Sequence, residues 1–415
     1  MRVHVFGGVL AYDYMLAGWL RASGIDAHYF FGIKRVEADY PWWEDRSFDR
    51  HHMPDWCHYY PFRVPYRYSG RLDEVGRRFV REFNAGADVQ LVVGEGLFLS
   101  HHYEHPTVLW SCGLDIEAAV PAPVSLRGAI SKVMGGPEPV GLQRAINRRH
   151  VRERLQHASL IMTVMDFQIP TYLKWAGVTT PAHSVPMPYD CTRYEPAPDP
   201  ELIRRYAGTD CVFFLPTRHS YGSGSTNDKG ADKVIRAFAS VVRSLPGTAR
   251  LVLVSKGERL PESRRAVEAL GIADRVDWLP ELQKAELKRW YSLPGAVVLD
   301  QFPNEDTLDP RLHEALRRRG GRGSIFAEAM CMGCPLISNV GTEWIAEARP
   351  PLVWNACFEP EIADAMRAAA ALEAGERRRG GAANREWARQ HIDWPVVMDR
   401  YIALLQQAAG SPVPA

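Results

Sequence analysis

The sequence predicts an α/β protein of two doubly wound domains, and three observations carry that prediction. Short apolar runs alternate with amphipathic stretches from end to end, the pattern of parallel strands joined by helices. The 415 residues exceed the roughly 250 to 300 at which a single hydrophobic core stops growing, so two cores are expected. Between Pro186 and Pro200, Pro186, Pro188, Pro196, Pro198 and Pro200 crowd a polar stretch that suits neither a helix interior nor a central strand, and this reads as the linker.

The predicted strands are Val3 to Phe6, Gln90 to Val93, Thr107 to Trp110, Leu160 to Val164, Val212 to Leu215, Leu251 to Val254, Ala296 to Leu299 and Pro335 to Ile337. Val234, Ile235, Phe238, Val241, Val242 and Leu245 fall on one face of a 3.6-period helix that should stop at Pro246-Gly247. Each half opens with a strand and a turn, so the domains are expected to face each other across a cleft. A last amphipathic stretch runs from Trp394 to Gln407.

Composition removes several function classes. Apolar residues at 46%, charged at 24% and aromatic at 10% are globular proportions and exclude a disordered chain. Fifty Lys and Arg against forty-nine Asp and Glu give a net charge of +1. That removes the global argument for a nucleic-acid binder and leaves any polyanion site local. Cys57, Cys112, Cys191, Cys211, Cys331, Cys334 and Cys357 are an odd, scattered set, which points to reduced thiols in a cytoplasmic protein. The N-terminus runs directly into strand-like sequence, and no run of about 18 or more apolar residues occurs, so neither a signal peptide nor a membrane span is expected.

One segment breaks the alternation. Tyr40, Trp42, Trp43, Phe48, Trp56, Tyr59, Tyr60, Phe62, Tyr66 and Tyr68 crowd a non-periodic stretch interleaved with Asp, Arg and His. Long loops of this kind serve as lids or binding surfaces, and aromatic faces suit sugar rings. The alternative is a loop tucked on its domain with a small core of its own.

Two constellations carry chemistry. Thr217-Arg218-His219 follows a strand, and Lys229-Gly230 opens the helix described above, so two cations stand where open α/β sheets bind ligands and helix dipoles favour phosphate. Together they can stabilise a leaving diphosphate. The intervening Tyr221-Gly-Ser-Gly-Ser-Thr-Asn-Asp-Lys-Gly230 lacks the ending and spacing of a Walker A loop. The second is Gly320-Gly-Arg-Gly-Ser-Ile-Phe-Ala-Glu-Ala-Met-Cys-Met-Gly-Cys-Pro335. Here a glycine cluster enters a short helix that Ser324 can cap, with amides at Gly323, Ser324 and Ile325 open to phosphate or sugar oxygens. Glu328, early in that helix, can accept from vicinal hydroxyls such as those of a ribose, or serve only the dipole. In the first half, Glu95 and Asp115 follow strands and can orient an acceptor hydroxyl or cap helices. His101, His102 and His105, and Cys331 with Cys334, supply too few held ligands for a metal site. Arg377-Arg-Arg379 and Asn147-Arg-Arg-His150 read as solvated faces, the alternative being weak contact with an anionic membrane surface.

These stretches together resemble retaining glycosyltransferases of the GT-B fold, family 4 type. Arg218 with Lys229-Gly230, Val276-Asp-Trp-Leu-Pro280, Glu328-Ala-Met with Gly333-Cys-Pro-Leu-Ile337, and Gly341-Thr-Glu343 match in order. Val185-Pro-Met-Pro-Tyr-Asp190 with Tyr194-Glu-Pro196 looks like the segment that crosses between domains. The resemblance covers the second half closely and the first half loosely. It implies two Rossmann-like domains: 1–190 for the acceptor, 201–390 for the sugar nucleotide, and 391–415 as a terminal helix crossing back to the first domain. It further implies that Arg218 and Lys229 hold the donor diphosphate and act in catalysis, and that Glu328 holds its ribose. Gly323, Ser324, Ile325, Thr217 and Leu279 would complete the donor site. Gly7 and Gly8 would let the first domain's backbone approach the donor.

Two departures stand out. The family's Glu-x7-Glu motif would put its first carboxylate at Gly320, so that contact must come from elsewhere, Pro303 to Arg319 being one source. Cys112-Gly-Leu-Asp115 looks like the family's His-Gly-x-Asp with Cys112 in place of the histidine.

The expected activity is therefore hexosyl transfer with retention from a nucleotide-diphosphate sugar to a small-molecule, glycan or lipid-linked acceptor, with no metal, no other cofactor and no nucleic-acid partner. Two alternatives stand beside it: a sugar-nucleotide epimerase or hydrolase on the same fold, and a non-catalytic sugar-nucleotide-binding subunit. No Gly-x-Gly-x-x-Gly follows the first strand, which disfavours a dehydrogenase.

Overall fold

The structure, a computed structural model, describes residues 1–8, 11–34, 40–45, 47–64, 72–111, 116, 140–221, 229–245, 248–302 and 310–410, without the side chains of 43, 44, 95, 140–148 and 311. The chain divides into two units: Met1–Val185 with Val397–Ala415, and Pro186–Val396.

In the first unit the strands are β1 (Arg2–Phe6), β2 (Asp26–Phe31), β3 (Cys57–Tyr59), β4 (Val89–Val93), β5 (Thr107–Ser111), β6 (Leu160–Thr163) and β7 (Ala182–Ser184). They pair in parallel in the order β3-β2-β1-β4-β5-β6-β7. Strand order reverses between β1 and β4, the crevice where doubly wound sheets admit ligands. β4 and β5 are buried along their whole length, as strands covered on both faces must be. Helix α1 (Tyr12–Ala22) follows β1. Helix α2 (Glu74–Asn84), capped by Asp73, whose side chain accepts from the Gly76 amide, buries Phe79 and Phe83. These rings meet Phe6, with centroids 4.5 and 5.8 Å away.

The aromatic stretch is divided: Tyr60 and Phe62 join the core, Tyr59 is exposed, and Tyr40, Trp42, Phe48 and Trp56 are half-buried. Tyr60, Phe62 and Val64 are buried against Phe6, Phe30, Phe79 and Phe83, and Trp56 stacks on Tyr14 of α1 at 5.5 Å. Cys57–Tyr59 is a strand rather than loop, pairing as the edge of the sheet. Its three residues are too short to show a period. Tyr66 and Tyr68 lie outside the described residues.

The second unit holds β8 (Cys211–Leu215), β9 (Ala249–Val254), β10 (Val276–Leu279), β11 (Val297–Leu299), β12 (Leu336–Ser338) and β13 (Val353–Asn355). All pair in parallel, in the order β10-β9-β8-β11-β12-β13. The switch point lies between β8 and β11. Helix α3 (Ala231–Val241) carries the predicted apolar face, and Val234, Ile235, Phe238 and Val241 are fully buried under the sheet. It ends before the predicted stop. The Val241 carbonyl accepts from Ser244 N at 2.8 Å and from Ser244 Oγ at 2.8 Å, a side-chain bond that competes with another helical turn. Pro246 and Gly247 lie outside the described residues.

Helices α4 (Pro310–Arg319) and α5 (Ser324–Cys331) lead into β12. The predicted cap of α5 is corrected: Gly323 occupies the cap position and Ser324 is the first helical residue, with no side-chain capping bond. Arg377 is corrected too. Far from being solvated, it is 2% exposed and donates to the carbonyls of Gly295, Ala369, Leu372 and Asp210. The final helix, Trp394–Ala409, presents Tyr401, whose hydroxyl accepts from Trp110 Nε1 at 3.0 Å within the first unit.

Candidate functional site

The carboxyl ends of β8, β11 and β12 are neighbours in the second sheet, and the predicted cations gather there. Thr217 and Arg218 follow β8. Thr217 is 5% exposed, and among the described residues neither its Oγ1 nor Arg218 Nε has a hydrogen-bond partner. A buried donor left unmade costs about 1 to 3 kcal/mol, so water or a ligand is expected to complete these groups. His219 is held from below: its amide donates to Lys256 O at 2.6 Å, its Nδ1 meets Ser263 Oγ at 2.7 Å, and burial pushes its ring pKa down to about 4. Ser220 Oγ donates to Glu258 at 2.6 Å and holds that carboxyl below its ordinary range, with the Arg218 charge adding to the effect.

Lys229 is fixed by its backbone. Its amide donates to Ser220 O at 2.9 Å and its carbonyl accepts from Phe302 N at 3.3 Å. Gly230, in the left-handed region at φ +65, caps α3 and presses on Phe302; a Cβ there would meet Phe302 O at 2.5 Å. Lys229 Nζ donates to Gln301 Oε1. Gln301 in turn lies across Gly323, its Nε2 at 3.0 Å from the place a Cβ would take. One amide therefore reaches from the ammonium to the start of α5, where Ser324 and Ile325 present first-turn amides with no partner inside the helix.

Beneath Gln301 sits Asp300, 1% exposed, accepting from Ser338 Oγ at 2.7 Å and from the backbone N–H of Gln301 at 2.8 Å. Burial raises its carboxyl from 3.8 to about 6, against the opposing pull of Lys229. Asn339, after β12, is 5% exposed, and among the described residues its Oδ1 has no partner.

Glu328 is 9% exposed and turned toward two buried phenols. Its Oε1 accepts from Tyr194 at 3.4 Å and its Oε2 from Tyr291 at 3.2 Å. Leu279 closes β10, and its carbonyl accepts from Ser255 N at 2.8 Å.

Gly320, where the family's first carboxylate would stand, has no room for a side chain. Its φ is +56, and a Cβ would collide with the backbone of Val340 and Gly341 and meet Asn339 O at 2.5 Å. Of the stretch offered as a substitute, residues 303–309 lie outside the described residues and Glu314 is exposed.

In the first unit, Gly7 follows β1 with φ +154, and a Cβ there would strike the Val93 carbonyl at the switch point. Its own carbonyl accepts from Lys34 Nζ, a buried ammonium 3.3 Å from Asp13 Oδ2. Gly8 follows, half-buried. Glu95 lies on the 3-10 helix Gly94–His102 after β4, with its side chain outside the description. Cys112 and Asp115 lie outside the described residues.

Among the described residues no group of three or more His, Cys, Asp or Glu is placed to hold a metal ion. Cys331 Sγ faces Cys191 Sγ at 3.0 Å, whereas Cys334 Sγ donates to Tyr291 O at 3.0 Å, so the two thiols of the Cys-x-x-Cys pair have different partners.

Sequence reasoning missed Asp300, Gln301, Asn339 and Tyr291, and named Tyr194 only as part of the crossing segment, not as a partner of Glu328. The one signal for Asp300 and Gln301 is that polar residues directly follow the apolar run Ala296 to Leu299.

No protein-family model and no curated protein matches the chain. Solved structures do. Sucrose-phosphate synthase from Thermosynechococcus elongatus is 14% identical, with 98% of each chain covered and a TM-score of 0.64. Anabaena HepE in complex with UDP and glucose is 15% identical, with 98% of this chain and 100% of that one covered and a TM-score of 0.64. WaaG, a glycosyltransferase involved in lipopolysaccharide biosynthesis, is 16% identical over 98% and 99%, with a TM-score of 0.54. At such identity the likeness is one of fold, and with a parallel sheet in each unit the fold of this chain is GT-B.

Proposed function

We propose that the protein is a glycosyltransferase that moves a hexosyl group from a nucleotide-diphosphate sugar to an acceptor hydroxyl, with retention and without a divalent metal. The observation that carries this reading is the set of positive groups at adjacent strand ends: Arg218 after β8, Lys229 bonded to Gln301 after β11, and the first-turn amides of α5 beside Gln301. The likeness of fold supports it, since Anabaena HepE was solved with UDP and glucose.

As the anomeric bond breaks, negative charge grows on the departing diphosphate. A unit cation about 4 Å from that charge contributes on the order of 4 kcal/mol at an effective dielectric of about 20. Two of them, with helix amides, can supply the electrostatic stabilisation that a divalent ion supplies elsewhere. The acceptor hydroxyl enters on the face the diphosphate leaves and passes its proton to the departing phosphate oxygen. Glu328 would receive the ribose once its tyrosines yield. Gly7 and Gly8, with Glu95, Cys112 and Asp115 on the acceptor side, would serve from the first unit, the final helix being counted with it. The acceptor is a small molecule, a glycan or a lipid-linked sugar, met in the cytoplasm or in weak contact with a membrane surface; among the described residues no helix is long and apolar enough to cross a membrane.

A thermal-shift panel of UDP, GDP, ADP and dTDP tests the site. One diphosphate at about 100 times its Kd should stabilise the fold by about 2.7 kcal/mol, and transfer with the matching sugar nucleotide should survive a chelator. No response to any diphosphate would contradict the reading. Gly320 favours one alternative, a sugar-nucleotide-binding subunit, which would show the shift with no turnover in any acceptor screen.

A further inference from the structure

We propose that Gln301 is the positioning residue for the Lys229 ammonium, and that as a neutral amide it does so without adding a negative charge that would oppose a diphosphate. The inference rests on the donor-site reading above and names a residue outside the motifs that led to it.

A lysine side chain is long and flexible, and its charge is useful in an anion pocket only when held in one direction. The backbone of Lys229 is already tied to Ser220 and Phe302; its Nζ is directed by Gln301 Oε1. Gln301 is itself held. Its backbone N–H donates to Asp300 Oδ1 at 2.8 Å, and Asp300 Oδ2 accepts from Ser338 Oγ at 2.7 Å. The backbone of Gln301 is thus tied through Asp300 to Ser338 at the end of β12, and its side chain meets Lys229, two residues before α3. The other end of the Gln301 amide lies over Gly323, where a larger residue would meet its Nε2 at 3.0 Å. The glycine makes room for the amide at the cap of α5.

The type of acceptor matters. A carboxylate in this place would hold the ammonium as firmly, but it would cancel its charge and repel an incoming phosphate. An amide oxygen aims the ammonium by its dipole and adds no negative charge of its own beside it. A neutral group is therefore the right partner for a lysine that must bind an anion.

The test measures Kd for UDP, or for whichever of the four diphosphates gives the largest thermal shift, and for the corresponding nucleoside. The proteins are wild type, Gln301→Glu and Gln301→Asn, each with its melting temperature. Gln301→Glu, equal in size, should weaken the diphosphate roughly tenfold or more, the worth of one charge-assisted contact. Its nucleoside affinity and melting temperature should be unchanged. Gln301→Asn, one methylene too short to reach Nζ, should weaken the diphosphate by less, again sparing the nucleoside; it decides the matter if the glutamate variant is unstable. Diphosphate affinity unchanged in both variants, or diphosphate and nucleoside weakened in parallel, would overturn the assignment while leaving the donor site standing. A wild type that binds no diphosphate would overturn both.

Discussion

Gly320 lies directly on the backbone of Val340, and the crossing is possible only because neither it nor Gly341 carries a side chain. Gly320 also ends α4 in the left-handed conformation, its amide donating to Leu316 O at 2.8 Å. Gly320→Glu would restore the missing carboxylate of the resembling family, yet it is expected to destabilise the protein by about 3 kcal/mol or more through strain and overlap with the backbone. Urea denaturation of wild type and variant checks this. A variant of unchanged stability would show that the loop yields easily and that position 320 is open to a side chain.

Arg377 closes four carbonyls in the interior of the second unit. Arg377→Met keeps much of the apolar stem but leaves those acceptors unpaired, and the expected loss is about 3 kcal/mol or more. Calorimetric melting reads it. A neutral result would mean that water reaches the carbonyls once the guanidinium is gone.

Asp300 gives a pH dependence with a definite sign. Its folded carboxyl titrates near about 6, above its ordinary 3.8, because it is buried. Between those values the folded protein holds a proton that the unfolded chain has lost, so stability falls as pH rises through the window and the cost is complete above about 6. A gap of about two units is worth about 3 kcal/mol. Asp300→Asn keeps an oxygen for the Gln301 amide and removes the charge. It should therefore be more stable than wild type at pH 8 and nearly equal to it at pH 4, as measured by urea denaturation at both values. A difference independent of pH would contradict the assignment.

The second unit was the more legible from sequence because its elements announce themselves. The face of α3 is periodic, and Arg218 and Lys229 stand near strand and helix ends that patterning locates, while Glu328 lies within α5. The missed strands have physical reasons: β2 opens with Asp26-Ala-His28, β3, β7 and β13 are three residues long, and β10, Val276-Asp-Trp-Leu279, breaks its apolar run with Asp277. Gln301 was illegible for another reason. Nothing near it in sequence points to Lys229; the two meet only because β11 pairs with β8, a crossover that no local pattern encodes. Arg377 misled because three consecutive arginines look alike in sequence, and only packing separates the buried one.

The central claim is that Arg218 and Lys229 serve one anion pocket. Calorimetric titration of the best-binding nucleoside diphosphate, and of its nucleoside, into wild type, Arg218→Ala and Lys229→Ala measures that claim directly. Each variant is predicted to lose roughly tenfold or more in diphosphate affinity while binding the nucleoside as wild type does. Diphosphate affinity unchanged in either variant would contradict it.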